Sequence, residues 1–385
     1  MPKQTDAEAA AVDRLARKKA KLPKRECLPT GYTLLNLGMS GRAKGGIMVG
    51  TVVLFIGDAS SGKTLLAHTC LAEASISKRF GDYRLIFDNV ADGALFELGF
   101  FFPSLLPRLE PPAKNKDGSP RYSTTVEDLY YHLDDAIAAG KPFVYVVDDM
   151  DTLSSQDARK KFLKDKVIAR RRESGKVRFG KDGEEEKEKG SYGDGKAKKN
   201  SQHLRQIMPS LKASGSILII ICQTRDNIGA AFWEPDKTRA GGTALRFQAN
   251  QEIWTSIIKP LTRKVKGNTV KVGQLSRVHI RKNRQTGGDH TIEVPMYRKG
   301  GSGIDDLGGM INFLVHWKRW SKEGEPRNPD EGKIDAPELD FVGTKDNLIR
   351  MILDRDKGHV LREVVGNVWQ EVEEASKVER ERRYG

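Results

Sequence analysis

The sequence predicts an α/β fold with a mostly parallel central sheet, helices on both faces, and a phosphate-binding loop at its centre. Three observations carry this. Short apolar runs at Thr51–Ile56, Arg84–Asp88, Phe143–Asp148 and Ser216–Cys222 alternate with segments of helical periodicity, the pattern of buried parallel strands joined by crossover helices. Residues 57–64 read Gly57-Asp58-Ala59-Ser60-Ser61-Gly62-Lys63-Thr64, a complete G-x-x-x-x-G-K-T string directly after the first run. Further on, Tyr145-Val146-Val147-Asp148-Asp149 is an apolar run ending in carboxylates.

In chain order, residues 6–20 place Ala, Val and Leu at helical spacing, and a basic stretch follows from Lys18 to Arg25. Residues 1–27 thus read as a short amphipathic helix and linker, too short to stand alone and expected to dock on another surface. The core spans 28–318. The phosphate loop opens a helix over Lys63–Lys78, and Arg84–Asp88 is the next strand. Asn115–Ser123 reads as a loop, after which Thr124 and Glu127 form a capping box for a helix ending near Ala139. Residues 155–200 are crowded with charge, and within them 155–188 reads as a solvated insertion with no sustained apolar face. Ser201–Ala213 reads as helix, and Thr224–Thr243 as a glycine-rich stretch carrying Phe232 and Trp233. From 319 a Pro/Gly-containing linker leads to a small helical C-terminal domain ending at 385. Leu348, Ile349, Ile352, Leu353, Leu361, Val364, Val365 and Trp369 pattern it as two packed helices.

The formal net charge of +14 over 385 residues favours a polyanionic partner, either nucleic acid or an anionic membrane surface. No apolar run approaches the roughly 18–20 residues needed to span a bilayer. The N-terminal stretch has acidic residues early and no apolar core, unlike a signal peptide. Cys27, Cys70 and Cys222 lack metal-ligand spacing and read as reduced, structural cysteines of a cytosolic protein.

The chemistry follows from the loop. A strand that aims a glycine turn at a helix N-terminus presents unpaired N–H groups and the positive end of the helix dipole to an anion. Gly57 to Leu65 would therefore cradle the phosphates of a nucleoside triphosphate, with Lys63 reaching the outer ones. The Thr64 hydroxyl would ligate Mg²⁺, and Asp148 would hold the ion through water. Hydrolysis needs a group to orient the attacking water, for which Asp88, Asp92 and Glu97 are candidates and Asp92 is best placed, just past the second strand. Gln223 directly follows the last apolar run. It is either a sensor of the third phosphate or an ordinary strand-terminating residue.

Further motifs point to a family. Cys222–Asn250 (CQTRDNIGAAFWEPDKTRAGGTALRFQAN) resembles the second DNA-binding loop of RecA-type recombinases, with its Q-x-R start, I-G-x-x-F, a Pro and G-G-x-A-L-[KR]-F. Gly190–Gln202 resembles the first DNA-binding loop, shortened by a few residues. Arg277–Arg284 (RVHIRKNR), Tyr297–Ile304 and Leu28–Gly38 resemble further family segments in the right order, so the likeness covers about Leu28 to Trp317. The charged insertion and the C-terminal tail depart from bacterial RecA, as a divergent, phage-encoded recombinase would.

The resemblance implies a RecA-like ATPase core and a homo-oligomeric helical filament on single-stranded DNA that pairs it with homologous double-stranded DNA and exchanges strands. It further implies single-strand-binding and loader proteins as partners, and a cytoplasmic location, that of the host if phage-encoded. Under it Gln223 is the γ-phosphate sensor. Lys282 and Arg284 reach the ATP site of the next subunit, and Arg246 and Phe247 lie at the interface. Lys196, Lys198, Lys199 and Arg205 of the first loop and its helix contact DNA, as do Arg225, Asn227, Ile228, Gly229, Phe232 and Arg239 of the second, with Ile228 wedging between nucleotide triplets. The family places a Glu soon after the second strand, where this chain reads Asp88-Asn89-Val90-Ala91-Asp92, so Asp92 becomes the substitute. Rival readings are a RecA-fold helicase or recombination mediator, distinguished by unwinding without strand exchange, and a regulatory nucleotide-binding protein without hydrolysis.

Overall fold

The computed structural model describes residues 26–91, 98–173, 196–226, 237–239, 243–298, 303–323 and 332–377. The expected N-terminal helix, Asp92, Glu97, the second half of the charged insertion with the glycines of the first loop, and Asn227 to Asp236 lie outside these residues.

The central sheet is built from β1 (Val52–Gly57), β2 (Arg84–Asn89), β3 (Leu109–Glu110), β4 (Phe143–Asp148), β5 (Ile217–Asp226), β6 (Lys237–Arg239), β7 (Gln251–Val265), β8 (Asn268–Asn283) and β9 (His290–Tyr297). Their spatial order is β9-β8-β7-β1-β5-β4-β2-β3, and β6 pairs with the end of β5. Strands β7 through β3 in that order run parallel, whereas β8, β9 and β6 are antiparallel to their neighbours. The sheet is thus mixed and mostly parallel, as the alternating apolar runs predict.

Helices cover both faces. Val53, Phe55, Val144, Val146 and Ile219 pack towards α1 (Thr33–Ser40) and α2 (Lys63–Ile76). Val52, Leu54, Tyr145, Leu218 and Ile220 pack towards α3 (Val126–Ala138), through Leu129 and Leu133, and towards α5 (Lys196–Ser214), through Leu204 and Leu211. Because both faces are covered, β1 and β4 are buried along their whole length.

Several expectations are corrected. The capping box of α3 sits one residue later, on Thr125 and Asp128. Glu127 is pulled inward instead, 3% exposed, where its Oε2 accepts the Gln156 N–H at 3.1 Å. The first half of the charged insertion is not a formless spacer but an 18-residue helix, α4 (Gln156–Glu173). Lys, Arg and Glu are good helix formers, so charge density alone did not argue against a helix. Asn115–Ser123 is the turn and second strand of a short hairpin that pairs Ala113–Lys114 with Pro120–Arg121.

Strands β7 and β8 form a ribbon of 15 and 16 residues that the motif reading did not foresee. Val265 pairs with Asn268, and Lys266 and Gly267 both take positive φ (49° and 81°), as a two-residue hairpin turn requires. Its outer half, Lys259 to Lys271, is almost entirely exposed and carries Lys259, Arg263, Lys264, Lys266 and Lys271.

Helix α6 (Thr243–Gln248) lies between β6 and β7 in sequence, and after β9 come α7 (Asp306–His316) and a three-stranded sheet of Ser321–Glu323, Lys333–Ala336 and Phe341–Gly343. Helices α8 (Lys345–Asp354, N-capped by Thr344) and α9 (Gly358–Ala375) complete the tail. Leu348, Ile352, Leu361, Val364 and Val365 are buried in the same apolar cluster as α1 and α2, so the tail packs on the body of the molecule. Trp369 stacks on Phe313 of α7 at 5.9 Å, whereas Leu353 is 65% exposed.

Candidate nucleotide site

The strand order β1-β5-β4 brings together residues far apart in sequence. Gly57 at the end of β1 is in register with Gln223 of β5, and Asp148 ends β4 on the other side of β5. The loop from Gly57 to Thr64 turns through Ser60 (φ +60°) and Gly62 (φ +98°) into α2. A Cβ at Gly62 would run into Met296 Sδ, so this position demands glycine for both its φ and its neighbour. The first bond of α2 links Leu66 N to Gly62 O, which leaves the N–H groups of Lys63, Thr64 and Leu65 ahead of it at the helix start.

Lys63 is 7% exposed and donates to Gly57 O (2.8 Å) and Asp58 O (2.7 Å). Burial lowers its pKa, against the opposing pull of Asp148, Asp149 and Asp58. The Thr64 hydroxyl donates to Asp148 Oδ2 at 2.7 Å. Burial raises the Asp148 pKa, the Thr64 bond working the other way. A buried ammonium resting on loop carbonyls, free helix-start N–H groups, and a hydroxyl–carboxylate contact at the strand ends together fit a triphosphate with a divalent cation. Thr64 and Asp148 could hold the metal, and residues Gly57 to Leu65 the phosphates.

The loop is braced from the ribbon. Ser61 Oγ lies 2.7 Å from Thr255 Oγ1, Gln274 Nε2 donates to Ser60 O at 2.7 Å, and Ser276 Oγ donates to Ser61 O at 3.1 Å. Sequence reasoning missed Thr255, Gln274 and Ser276, because only the β1-β7-β8 pairing brings them here. It missed Asp149 and Asp151 as well. Gln223 Nε2 donates to Asp149 Oδ2 and its backbone N–H to Asp151 Oδ2, each at 2.6 Å.

Of the candidate carboxylates, Asp88 faces away from the loop. It is wholly buried, accepts from Ser123 N–H, Ser123 Oγ and Tyr145 Oη, and has its pKa raised by burial. Asp92 and Glu97 lie outside the described residues; the chain before them turns back over β4, Ala91 N donating to Asp148 O.

Lys282 and Arg284 stand elsewhere. Lys282 pairs in register with Glu252, towards the amino end of β1 and away from Gly57. Lys282 Nζ donates to Arg246 O, and an Arg284 N–H to Phe247 O at 2.8 Å, so both cations cap the carbonyls that end α6. Arg246 and Phe247 are exposed.

Among the expected DNA residues, Lys196 and Lys198 lie in the first turn of α5. Lys199 pairs with Glu127 (3.5 Å) and Asp157 (3.7 Å). Arg205 is exposed on α5, Arg225 is exposed on β5, and the Arg239 backbone pairs with Thr224. Asn227, Ile228, Gly229 and Phe232 lie outside the described residues.

The RecA N-terminal domain family matches residues 182–303, which include β5 to β9 but not the phosphate loop. Relatives extend the likeness. RecA of Geobacter metallireducens is 27% identical over 315 residues, covering 82% of this chain and 78% of its own length. RecA of Thermus thermophilus is 27% identical over 297 residues, 76% of this chain and 73% of its own. RecA of Kineococcus radiotolerans is 36% identical over a shorter 115 residues, 30% of this chain and 31% of its own. The mostly parallel sheet and the phosphate loop agree with these likenesses, which support a divergent RecA-like protein.

Proposed function

We propose that the chain is an ATP-dependent DNA recombinase that forms a helical filament on single-stranded DNA and catalyses homologous pairing and strand exchange. One observation carries the reading furthest. Gln223 is in register with Gly57, and the same strand runs on into the β5–β6 ribbon, whose two strands flank the glycine-rich segment that resembles a DNA-binding loop. A single strand thus links a phosphate-sensing position to a DNA-contacting one.

Lys63 would meet the outer phosphates of ATP, and Thr64 with Asp148 would hold Mg²⁺, which when bound neutralises phosphate charge. Asp92 is the proposed water-orienting carboxylate and Gln223 the phosphate sensor, held by Asp149. Lys282 and Arg284 would act on the neighbouring subunit's nucleotide, with Arg246 and Phe247 at the same contact; their distance from their own phosphate loop supports that. Lys196, Lys198, Lys199, Arg205, Arg225, Asn227, Ile228, Gly229, Phe232 and Arg239 would line the DNA path, where backbone charge gives affinity without sequence preference. Residues 1–27 would dock on the adjacent subunit. The protein would work in the cytoplasm, and single-strand-binding and loader proteins would be its partners. Among the described residues no helix is long and apolar enough to cross a membrane.

Electron microscopy with single-stranded DNA, with and without a non-hydrolysable ATP analogue, tests the proposal. Nucleotide-dependent helical filaments and strand exchange are expected. Closed rings that unwind a forked duplex without exchange would favour a helicase or mediator. The shared site has its own check: filaments mixed from Lys63→Ala and Lys282→Ala subunits should regain part of the ATPase activity that each lacks alone.

A further inference from the structure

Asp58 is the second residue of the phosphate loop, and a carboxylate there opposes the anion the loop is shaped to hold. It is engaged by the glycine-rich segment on both sides. Asp58 Oδ2 lies 2.6 Å from Lys237 Nζ, and Asp58 Oδ1 accepts the Thr224 hydroxyl. Thr224 lies on β5 and Lys237 on β6, where the register pairs Thr224 with Arg239 and Asp226 with Lys237. One carboxylate of the phosphate loop therefore clips both strands of the ribbon.

The magnitudes say what such a clip is good for. The Asp58 and Lys237 side chains are 41% and 47% exposed, and exposed pairs contribute little to stability. That is too little to matter for the fold, and little enough to be exchanged. A phosphate group carries more negative charge than a carboxylate, so an anion held by this loop competes for the same ammonium while repelling Asp58. The Lys237 bond is also the largest cause of the lowered Asp58 pKa, so the carboxylate stays charged through the neutral range.

We infer that Asp58 and Lys237 are a positioning pair that ties occupancy of the phosphate loop to the geometry of the β5–β6 ribbon. Lys237 rests on Asp58 and the ribbon is held against the loop. A bound triphosphate draws Lys237 away from Asp58 and so resets the strand that carries Gln223 and Arg225. This rests on the proposed nucleotide role of the loop.

Hydrogen exchange of the ladder amides Thr224–Asp226 and Lys237–Arg239 tests it, in full-length protein alone, with Mg²⁺-ADP, and with a Mg²⁺-bound non-hydrolysable ATP analogue. In ligand-free protein Lys237→Ala should exchange these amides at least threefold faster than wild type, and Lys237→Arg should restore the wild-type rate. Wild type should change its exchange on adding either nucleotide, more with the ATP analogue, and Lys237→Ala should lose that change. Ligand-free rates within experimental error of each other in wild type and Lys237→Ala would overturn the clip. A nucleotide-induced change of the same size in Lys237→Ala as in wild type would overturn the coupling. Nucleotide binding is measured separately by equilibrium dialysis. If wild type binds neither nucleotide, the proposed function of the loop fails, while the ligand-free comparison still decides whether the clip exists.

Discussion

The phosphate loop and helix α4 are both polar segments that follow a buried strand, and they are held in opposite ways. The loop is gripped from several elements at once: Thr255, Gln274 and Ser276 of the ribbon, Asp148 of β4, and Thr224 and Lys237 of the β5–β6 pair. Helix α4 is tied near its start, where Gln156 N–H meets Glu127, Asp157 lies near Lys199, and an Arg159 N–H reaches Thr124 Oγ1 at 2.9 Å. Further along, Phe162, Leu163 and Val167 are 65%, 52% and 46% exposed. What separates the two is how many different strands supply partners. A segment at the centre of a sheet is constrained from both sides, and one that leaves the sheet is held from fewer.

The comparison predicts a graded series of effects. Lys63→Ala should be the most severe, because it removes a buried ammonium that rests on the loop's own carbonyls. ATP hydrolysis should fall by about 10²-fold or more, with far-ultraviolet circular dichroism unchanged. Wild-type turnover in this variant would break the site assignment.

Next comes His68, on the first turns of α2 behind the loop. It packs 4.3 Å from the Phe87 ring, its Nδ1 lies 2.9 Å from Thr64 O, and burial lowers its pKa to about 4. Its folded-state pKa lies below the unfolded value near 6.5, so the unfolded chain takes up a proton first as pH falls. Stability should therefore drop between pH 6.5 and 4, by about 3 kcal/mol from this group. His68→Phe should flatten that part of a urea-midpoint against pH curve, and an unaltered curve would contradict the assigned burial.

Glu127→Gln sharpens the anchor of α4. It keeps an acceptor for the Gln156 N–H but removes the charge facing Lys199, and should cost about 1 kcal/mol by chemical denaturation. Increased exchange at the start of α4 should accompany it.

The smallest effect is expected at the far part of α4. Phe162→Ser should change unfolding free energy by no more than about 0.5 kcal/mol, because the ring is mostly exposed already. Replacing residues 160–186 with a Gly/Ser linker should likewise keep the fold, ATP hydrolysis and single-strand binding. Any loss should appear in duplex capture, as reduced strand exchange. A collapse of ATPase activity after that replacement would show that the segment braces the core, erasing the contrast.

Much of this was legible beforehand because its cause is local. Phe143–Asp148 is a strand in sequence and in structure, since an apolar run of that length is buried on both faces wherever it pairs. Thr124–Glu127 and Thr125–Asp128 both carry capping-box residues, and the choice fell to the second because Glu127 is drawn inward towards Gln156 and Lys199. The β7–β8 ribbon was missed because strand pairing between Gln251 and Asn283 is not a property of either run, although Lys266-Gly267 marks the turn between them.

By itself, the sequence determined the phosphate loop, the glycine at position 62, the main parallel strands and the basic excess. Each follows from local chemistry: a φ that only glycine takes readily, an apolar run, or a count of charges. Only the tertiary structure decided that Gln223 lies beside Gly57, that Lys282 and Arg284 cap α6 far from their own loop, and that Asp58 grips Thr224 and Lys237. Those contacts depend on which strands are neighbours and in what register, and register is set by the packing of the whole sheet rather than by the composition of any one strand.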